Sequence, residues 1–315
     1  MKEAGKHAHS GYTGALTRQP WRDPVDEAKY PQVSPVKLIN SLLVGTSCWI
    51  PAPTVRWDGQ LWISLRQPEL SYPADGQIAT DAVAPGWWFE ARAELVLRYL
   101  TRAGSHASVW DIGGGSGTMA RCLMDIGSPP VVVVEPMWAS AQLAIPRSTA
   151  VFASPLEDLA LPPKSLPAVL LLDVIEHLAN PDEILSRVAP LISDEGVVIV
   201  TVPAHKSLWS SVDEASGHYR RYSRSLLRRT LESNGLRVTT MRHAFSTLYI
   251  PALLARRLSR TNSPSEALAV DRKRLHPSPR VDLFLRRLSR LEHRLPAKLA
   301  PRFGTSLVAV ARPVQ

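Results

Sequence analysis

Between Ser108 and Pro203 the chain repeats one pattern: a short apolar run rich in β-branched residues, a turn, and a segment with helical spacing. Strands separated by helices cannot pair as tight hairpins. The chain must cross over to return, and its crossovers cover both faces of a parallel sheet. The runs SVWDIG (Ser108 to Gly113), VVVVE ending at Glu135, Ala150 to Ala153, AVLLLDVI (Ala168 to Ile175) and GVVIVTVP (Gly196 to Pro203) supply five strands. The last two are apolar almost throughout, as strands buried on two faces are. Helices are expected within GSGTMARCLMDIG and from about Pro181 to Leu191. A later helix, SRSLLRRTLESNG, stops at Gly235; RVTTMRHAF then reads as a sixth strand and TSLVAVARP as a seventh. The expected fold class is therefore α/β, a doubly wound, seven-stranded, mostly parallel sheet with an N-terminal extension and a helical insertion before the last strand.

The 315 residues exceed one ordinary domain of roughly 100–200 residues. Residues 1–35 carry scattered Gly, Pro, Ser and His with no sustained period and read as a flexible tail. Residues 36–86 read as an extension with a small β element, because Asp58-Gly59 in VRWDGQLWIS separates two β-favouring runs. Its Trp57 and Trp62 are read as packing on the main domain rather than as a binding surface. WWFEARAELVLRYLTRA, Trp87 to Ala103, has helical spacing and a stop at Gly104, and opens the main domain, 87–315, with an insertion at 248–300. The two cysteines, Cys48 and Cys122, have no metal-ligand or redox spacing. With no secretory apolar region and no run of ~18 apolar residues, a cytoplasmic chain is expected, soluble or peripheral at the inner membrane face.

The net charge of +9 is concentrated at one end: from Pro251 to Gln315 there are 14 Lys and Arg against 4 Asp and Glu. Within VDLFLRRLSRLEHRL, Val281, Phe284, Leu288, Leu291 and Leu295 recur at helical spacing, with Arg286, Arg287, Arg290 and Arg294 largely on other faces. Such a basic amphipathic helix can lie on an anionic membrane, pack on its own domain or form a dimer interface. The basic end alone gives only salt-sensitive, unspecific nucleic-acid binding, and no zinc ligands, RNA-binding motif or helix-turn-helix signature accompany it.

The chemistry begins at DIGGGSG. Gly113, Gly115 and Gly117 in a strand-to-helix turn allow tight backbone geometry and close approach of a ligand. Glu135, at the carboxyl end of the next strand, stands where an acid accepts hydrogen bonds from both ribose hydroxyls of a nucleoside. Read from Gly115 through Gly117 to Ala120, the turn also satisfies the alanine form of the dinucleotide fingerprint, so a NAD-dependent oxidoreductase is the alternative that the loop leaves open.

In order along the chain, VWDIGGGSG, VVVVEP, LLLDVIEHLANP and GVVIVTVPA resemble the first, second, fourth and fifth strand motifs of class I S-adenosylmethionine-dependent methyltransferases, over about Trp87 to Pro313. VPAHKSLWSSVDEASGHYRRYSRSLLRRTLESNGL, WWFEARAELV and PRFGTSLVAVARP resemble a type 11/type 23-like subgroup associated with small molecules, glycans and lipids. The chain departs from the pattern in its long N-terminal extension and in FASPLEDL, where Ser154 stands in a place often held by Asp. The resemblance implies a Rossmann-like methyltransferase fold and S-adenosylmethionine as cofactor. It implies that Asp111 anchors the loop or the methionine amine, that Gly113, Gly115 and Gly117 face the cofactor, and that Glu135 holds the ribose. Ser154 and Leu156 would lie near adenine, and Asp173 beside the methionine end or the substrate.

Methyl transfer from a sulfonium needs alignment, and a hydroxyl acceptor also gains from a general base. The candidates are His218 in GHYRRY, which is favoured, and His177 in DVIEHL, which can equally be structural. The resemblance extends to quinone-precursor methyltransferases, which would suggest a divalent ion on Asp173, Glu176 and His177; the mixed ligand types favour no metal. Arg220, Arg221 and Tyr222 are expected either to bind an anionic acceptor or to pair with Asp213 and Glu214. The expected partner is thus a small-molecule, glycan or lipid-linked substrate, with no specific nucleic acid.

Overall fold

The computed structural model describes residues 34–45, 48–65, 86–105, 107–258, 277–295 and 299–314. The tail at 1–33 and much of the stretch before the main domain lie outside them. The strands join one nine-stranded sheet in the order β1-β2-β5-β4-β3-β6-β7-β9-β8. Its parallel centre is β5 (Ala150–Ala153), β4 (Val131–Val134), β3 (Val109–Ile112), β6 (Leu166–Leu172) and β7 (Ile192–Pro203). At one side β9 (Ser306–Pro313) inserts antiparallel between β7 and β8 (Leu236–Ala244). At the other, β1 (Val55–Trp57) and β2 (Trp62–Ser64) form a hairpin across Asp58-Gly59, and β2 lies parallel to β5. The sheet is thus wider than the seven strands expected, because the hairpin closes its edge.

Side chains along each central strand alternate between two cores, as the pleat requires. Trp110, Val132, Val134, Val169 and Val198 point into one. Val109, Val131, Val133, Leu170 and Ile199 point into the other. The second core is roofed by α2 (Trp87–Ala103) and α3 (Thr118–Asp125), together with α4 (Trp138–Ala144). The first is covered by α5 (Asp182–Val188), α7 (Arg224–Glu232) and α1 (Pro35–Ser41) with the chain that follows it. Between α5 and α7 a short α6 (Ser211–Ala215) sits over the strand ends. A nest of rings closes the first core: Trp49 meets Trp62 edge-on at 4.9 Å and Phe152 at 5.6 Å, and its indole N–H donates to Leu159 O at 2.6 Å. Trp62 is buried, whereas Trp57 stays partly exposed.

The insertion between β8 and β9 contains α8 (Tyr249–Leu258) and α9 (Pro279–Arg294). Helix α9 lies against α2 with its polar side inward. Arg286 pairs with Glu90 and Asp282, Arg290 pairs with Glu94 at 2.5 Å, and Asp282 accepts the Trp87 backbone N–H at 3.0 Å. Glu292 accepts from the Ser246 backbone N–H and hydroxyl, while Arg98 and Arg242 donate to the carbonyls at the helix end. Its apolar stripe therefore faces away from the domain. Among the described residues no helix is long and apolar enough to cross a membrane.

Replacing Trp49 by Ala removes a buried ring system and a buried N–H donor at once. The expected loss is about 3–5 kcal/mol of unfolding free energy, read from urea denaturation; a change below 1 kcal/mol would mean that this part of the extension does not hold the core.

Candidate active site

The strands β3, β4, β5, β6 and β7 end at one edge of the sheet, where open α/β sheets receive ligands. The turn after β3 is shaped by glycines in the left-handed region: Gly113 at φ 73° and Gly117 at φ 73°. A Cβ on Gly113 would lie 2.9 Å from Val174, and one on Gly117 2.9 Å from Ala144, so both backbone and space demand glycine. Glu135 follows β4 and ties the turn down, accepting from Gly115 N at 2.9 Å and Met137 N at 2.8 Å. A carboxylate offers roughly four acceptor positions, so tying down the turn is compatible with accepting hydrogen bonds from ribose hydroxyls. Asp111, in β3, is buried, and its Oδ2 has no hydrogen-bond partner. Burial pushes its carboxyl up to about 7, against the pull of Arg92 and with the help of Glu135. An ammonium group would satisfy this orphaned oxygen, so a nucleoside carrying an amino acid fits the turn.

Asp173 stands just past β6 in the left-handed region, φ 56°. It is gripped by Arg92 of α2 at 2.8 Å and by the Thr201 hydroxyl of β7 at 3.0 Å. Arg92 also donates to Thr201 and lies 4.4 Å from the Trp88 ring centre. His205, two residues past β7 (φ 59°), and Phe245 just past β8 (φ 57°) also have positive φ, so three strands lead into a positive-φ residue other than glycine. The sequence does signal Arg92, a cation at i+4 from Trp88 and i−4 from Val96 on a helix face that is otherwise apolar; the sequence reading passed over it.

Beyond Asp173, a one-turn helix Ile175–His177 brings Glu176 and His177 against the loop after α6. The rings of His177 and His218 meet edge-on at 4.6 Å. Asp213 accepts from His218 Nδ1 at 2.9 Å and from Arg221 Nε at 2.7 Å. Burial works to raise Asp213, but the His218 hydrogen bond and the Arg221 charge outweigh it and hold the carboxyl below its usual range. Glu176 is fully buried, with neither oxygen partnered beyond its own backbone, and burial followed by the charge of Asp173 raises it well above the carboxylate norm. His177 is pushed down to about 4 by burial and then by His218, so its ring is neutral near neutrality. Glu176, His177 and His218 offer ligand atoms within 4.8 Å of one another, a donor set of two imidazoles and one carboxylate that suits a transition-metal ion. Asp173, included in the sequence reading of that set, is instead engaged by Arg92.

The structure brings Asp111, Gly113, Gly115, Gly117, Glu135, Asp173, His177 and His218 to this one edge. Ser154 and Leu156 follow β5 but are turned into the protein, the serine hydroxyl donating to Pro155 O at 2.9 Å. For Arg220, Arg221 and Tyr222, expected either to bind an anion or to pair with Asp213 and Glu214, the structure shows one of those pairings, Arg221 with Asp213. Arg220 donates to Leu178 O at 2.9 Å, Arg221 is held by Asp213 and Ala204 O, and the buried Tyr222 hydroxyl donates to Ile175 O. Tyr219, immediately before these residues, is exposed, and Tyr222 is buried. The cleft lined by Asp194, Glu195, Arg237 and Arg312 lies at the opposite edge of the sheet.

Residues 87–241 match a family model described as a methyltransferase domain. No curated protein matches the sequence. Among solved structures, a SAM dependent methyltransferase from Archaeoglobus fulgidus has 18% identity and a TM-score of 0.43, over 70% of this chain and 93% of that one. Phosphoethanolamine N-methyltransferase 2 of Haemonchus contortus, in complex with S-adenosyl-L-methionine, has 18% identity and a TM-score of 0.47, over 76% of this chain and 56% of that one. Magnesium protoporphyrin IX methyltransferase from Synechocystis, with bound SAM, has 18% identity and a TM-score of 0.38, over 48% of this chain and 71% of that one.

Asp111 titrates near 7 in the folded state and near ~3.9 unfolded. Between these values the folded state binds more protons, so the contribution of Asp111 to stability is full at low pH and is lost as pH rises through about 7, on the order of 4 kcal/mol in all. The buried histidines, lowered by burial, work in the opposite direction as pH falls. Comparing Asp111→Asn with the parent cancels them: the stability of the variant relative to the parent should rise between about pH 5 and pH 8. Urea denaturation at both pH values reads this directly, and a flat difference would contradict the assignment.

Proposed function

With residues 87–241 a methyltransferase domain of the class I S-adenosylmethionine-dependent kind, we propose that the chain methylates a hydroxyl oxygen of a small-molecule, glycan or lipid-linked acceptor, using His218 as general base. The observation that carries this reading is the Asp213–His218 contact beside the strand ends. An Nδ1–H donated to Asp213 leaves Nε2 of His218 as a lone-pair acceptor, the form a general base needs.

S-adenosylmethionine, when bound, supplies an electrophilic methyl group on a sulfonium. The chain's residues do the rest. Glu135 would accept the ribose hydroxyls while its hold on Gly115 keeps the turn in place. Asp111 Oδ2 would accept from the ammonium of the methionine end, and Asp173, steadied by Arg92 and Thr201, would border the same end. His218 Nε2 would take the proton of the acceptor hydroxyl, its oxygen would bond the methyl carbon as the carbon–sulfur bond breaks and S-adenosylhomocysteine leaves as a neutral thioether, and Asp213 stabilises the imidazolium that results. Neutral His177 packs against His218 and fixes its ring plane. Tyr219, exposed beside His218, is placed to meet the acceptor.

Calorimetric titration with S-adenosylmethionine, S-adenosylhomocysteine and NAD is the primary test. Saturable binding of the first two without NAD is expected, and NAD binding would return the chain to the oxidoreductase alternative. Glu135→Ala should weaken S-adenosylhomocysteine roughly 10–100-fold with the fold retained, the effect of losing hydrogen bonds to a charged group. Once an acceptor is found, His218→Ala should lower kcat by about 10²–10⁴ with KM for the cofactor little changed. An unaffected rate would remove His218 as the base.

A further inference from the structure

Helix α9 is mounted with its hydrocarbon outward. Val281, Phe284, Leu291 and Leu295 are 39–62% exposed, with Leu288 partly exposed between them in the same row. Solvent exposure of this kind is concentrated here: among the described residues, nine of the sixteen large hydrophobics that are exposed lie between Ile250 and Phe303. The inward face already carries the ion pairs to α2, Glu292 on Ser246 and Leu285 packed on the core. Rotating the helix to bury its leucines would break every one of these contacts.

Charge identifies the partner. Arg280, Arg287 and Arg294 recur every seven residues and form a second row beside the apolar one; all three are exposed and carry no acidic partner among the described residues. The two acids of the helix, Asp282 and Glu292, are both turned inward. The outward surface therefore offers hydrocarbon flanked by guanidinium groups and no negative charge. We propose that this face of α9 docks on an anionic lipid bilayer, the apolar row entering the headgroup boundary and the arginine row binding lipid phosphates. A second copy of the chain is disfavoured as occupant, because like faces would set arginine toward arginine with no acid between them. The inference stands on the helix alone and does not depend on the identity of the methyl acceptor.

The test is flotation of the full-length protein with vesicles of phosphatidylcholine alone or mixed with phosphatidylglycerol. Flotation is expected with the mixed vesicles only, and should decline as salt is raised. The double variant Phe284→Glu, Leu291→Glu should lose roughly tenfold or more of this binding while its calorimetric affinity for S-adenosylhomocysteine stays at the parental value, which separates lost docking from lost fold. Replacing Arg280, Arg287 and Arg294 together by Ala should remove the preference for anionic lipid. A parent protein that stays out of the lipid fraction, or a double variant that floats as well as the parent, overturns the proposal. So would a lipid-free dimer, seen by light scattering, that Phe284→Glu dissociates. A thiol at Phe284→Cys that is shielded from maleimide in the free protein would also overturn it, since the chain's own residues would then cover the face.

Discussion

A single buried guanidinium organises the chemistry of this molecule. Arg92 projects from α2 into the carboxyl edge of the sheet, where it binds Asp173, hydrogen-bonds Thr201 and lowers the cost of ionising Asp111 and Glu176. Asp111 and Glu176 are fully buried and Asp173 partly so, and the guanidinium offsets part of the desolvation that raises the first two. Arg92 also ties α2 to the end of β6 through Asp173 and to β7 through Thr201. The Trp88 ring lying beside the guanidinium keeps water from replacing that contact.

Much of the fold could be read from the runs alone. Strand β5 and helix α2 have the bounds read from the sequence, and the remaining central strands agree to within a few residues, because β-branched runs buried on both faces leave no other way to satisfy their backbone. The Gly turn and Glu135 were legible for a similar reason: positive φ and a strand-end acid are local properties. What periodicity could not reveal was the orientation of α9. A stripe of Val281, Phe284 and Leu291 establishes amphipathicity but is silent on which face meets the protein, and here the acids of α2, some 190 residues away in sequence, decide it.

The Arg220–Tyr222 run shows the same limit at the site. A sequence displays donors, while their acceptors, Leu178 O, Ala204 O and Ile175 O, lie 17–47 residues distant and come into reach only when the strand ends converge. His218 is the opposite case, since Asp213 stands five residues before it and the intervening turn closes the pair locally. Helix α2 links the two halves of the picture: one of its faces gives Arg92 to the site, and another gives Glu90 and Glu94 to the insertion.

The positive-φ residues past the ends of β6, β7 and β8 set the terms on which such a sequence can change. Asp173, His205 and Phe245 each hold a backbone conformation that costs a side-chain-bearing residue on the order of 1 kcal/mol and costs glycine almost nothing. Drift toward glycine at these positions would therefore relax the backbone, and a lineage selected only for robustness would lose its side chains there first. A thermostabilised version of this chain made by placing glycine at these positions would relax the backbone and give up a carboxylate, an imidazole and a phenyl ring at that edge of the sheet.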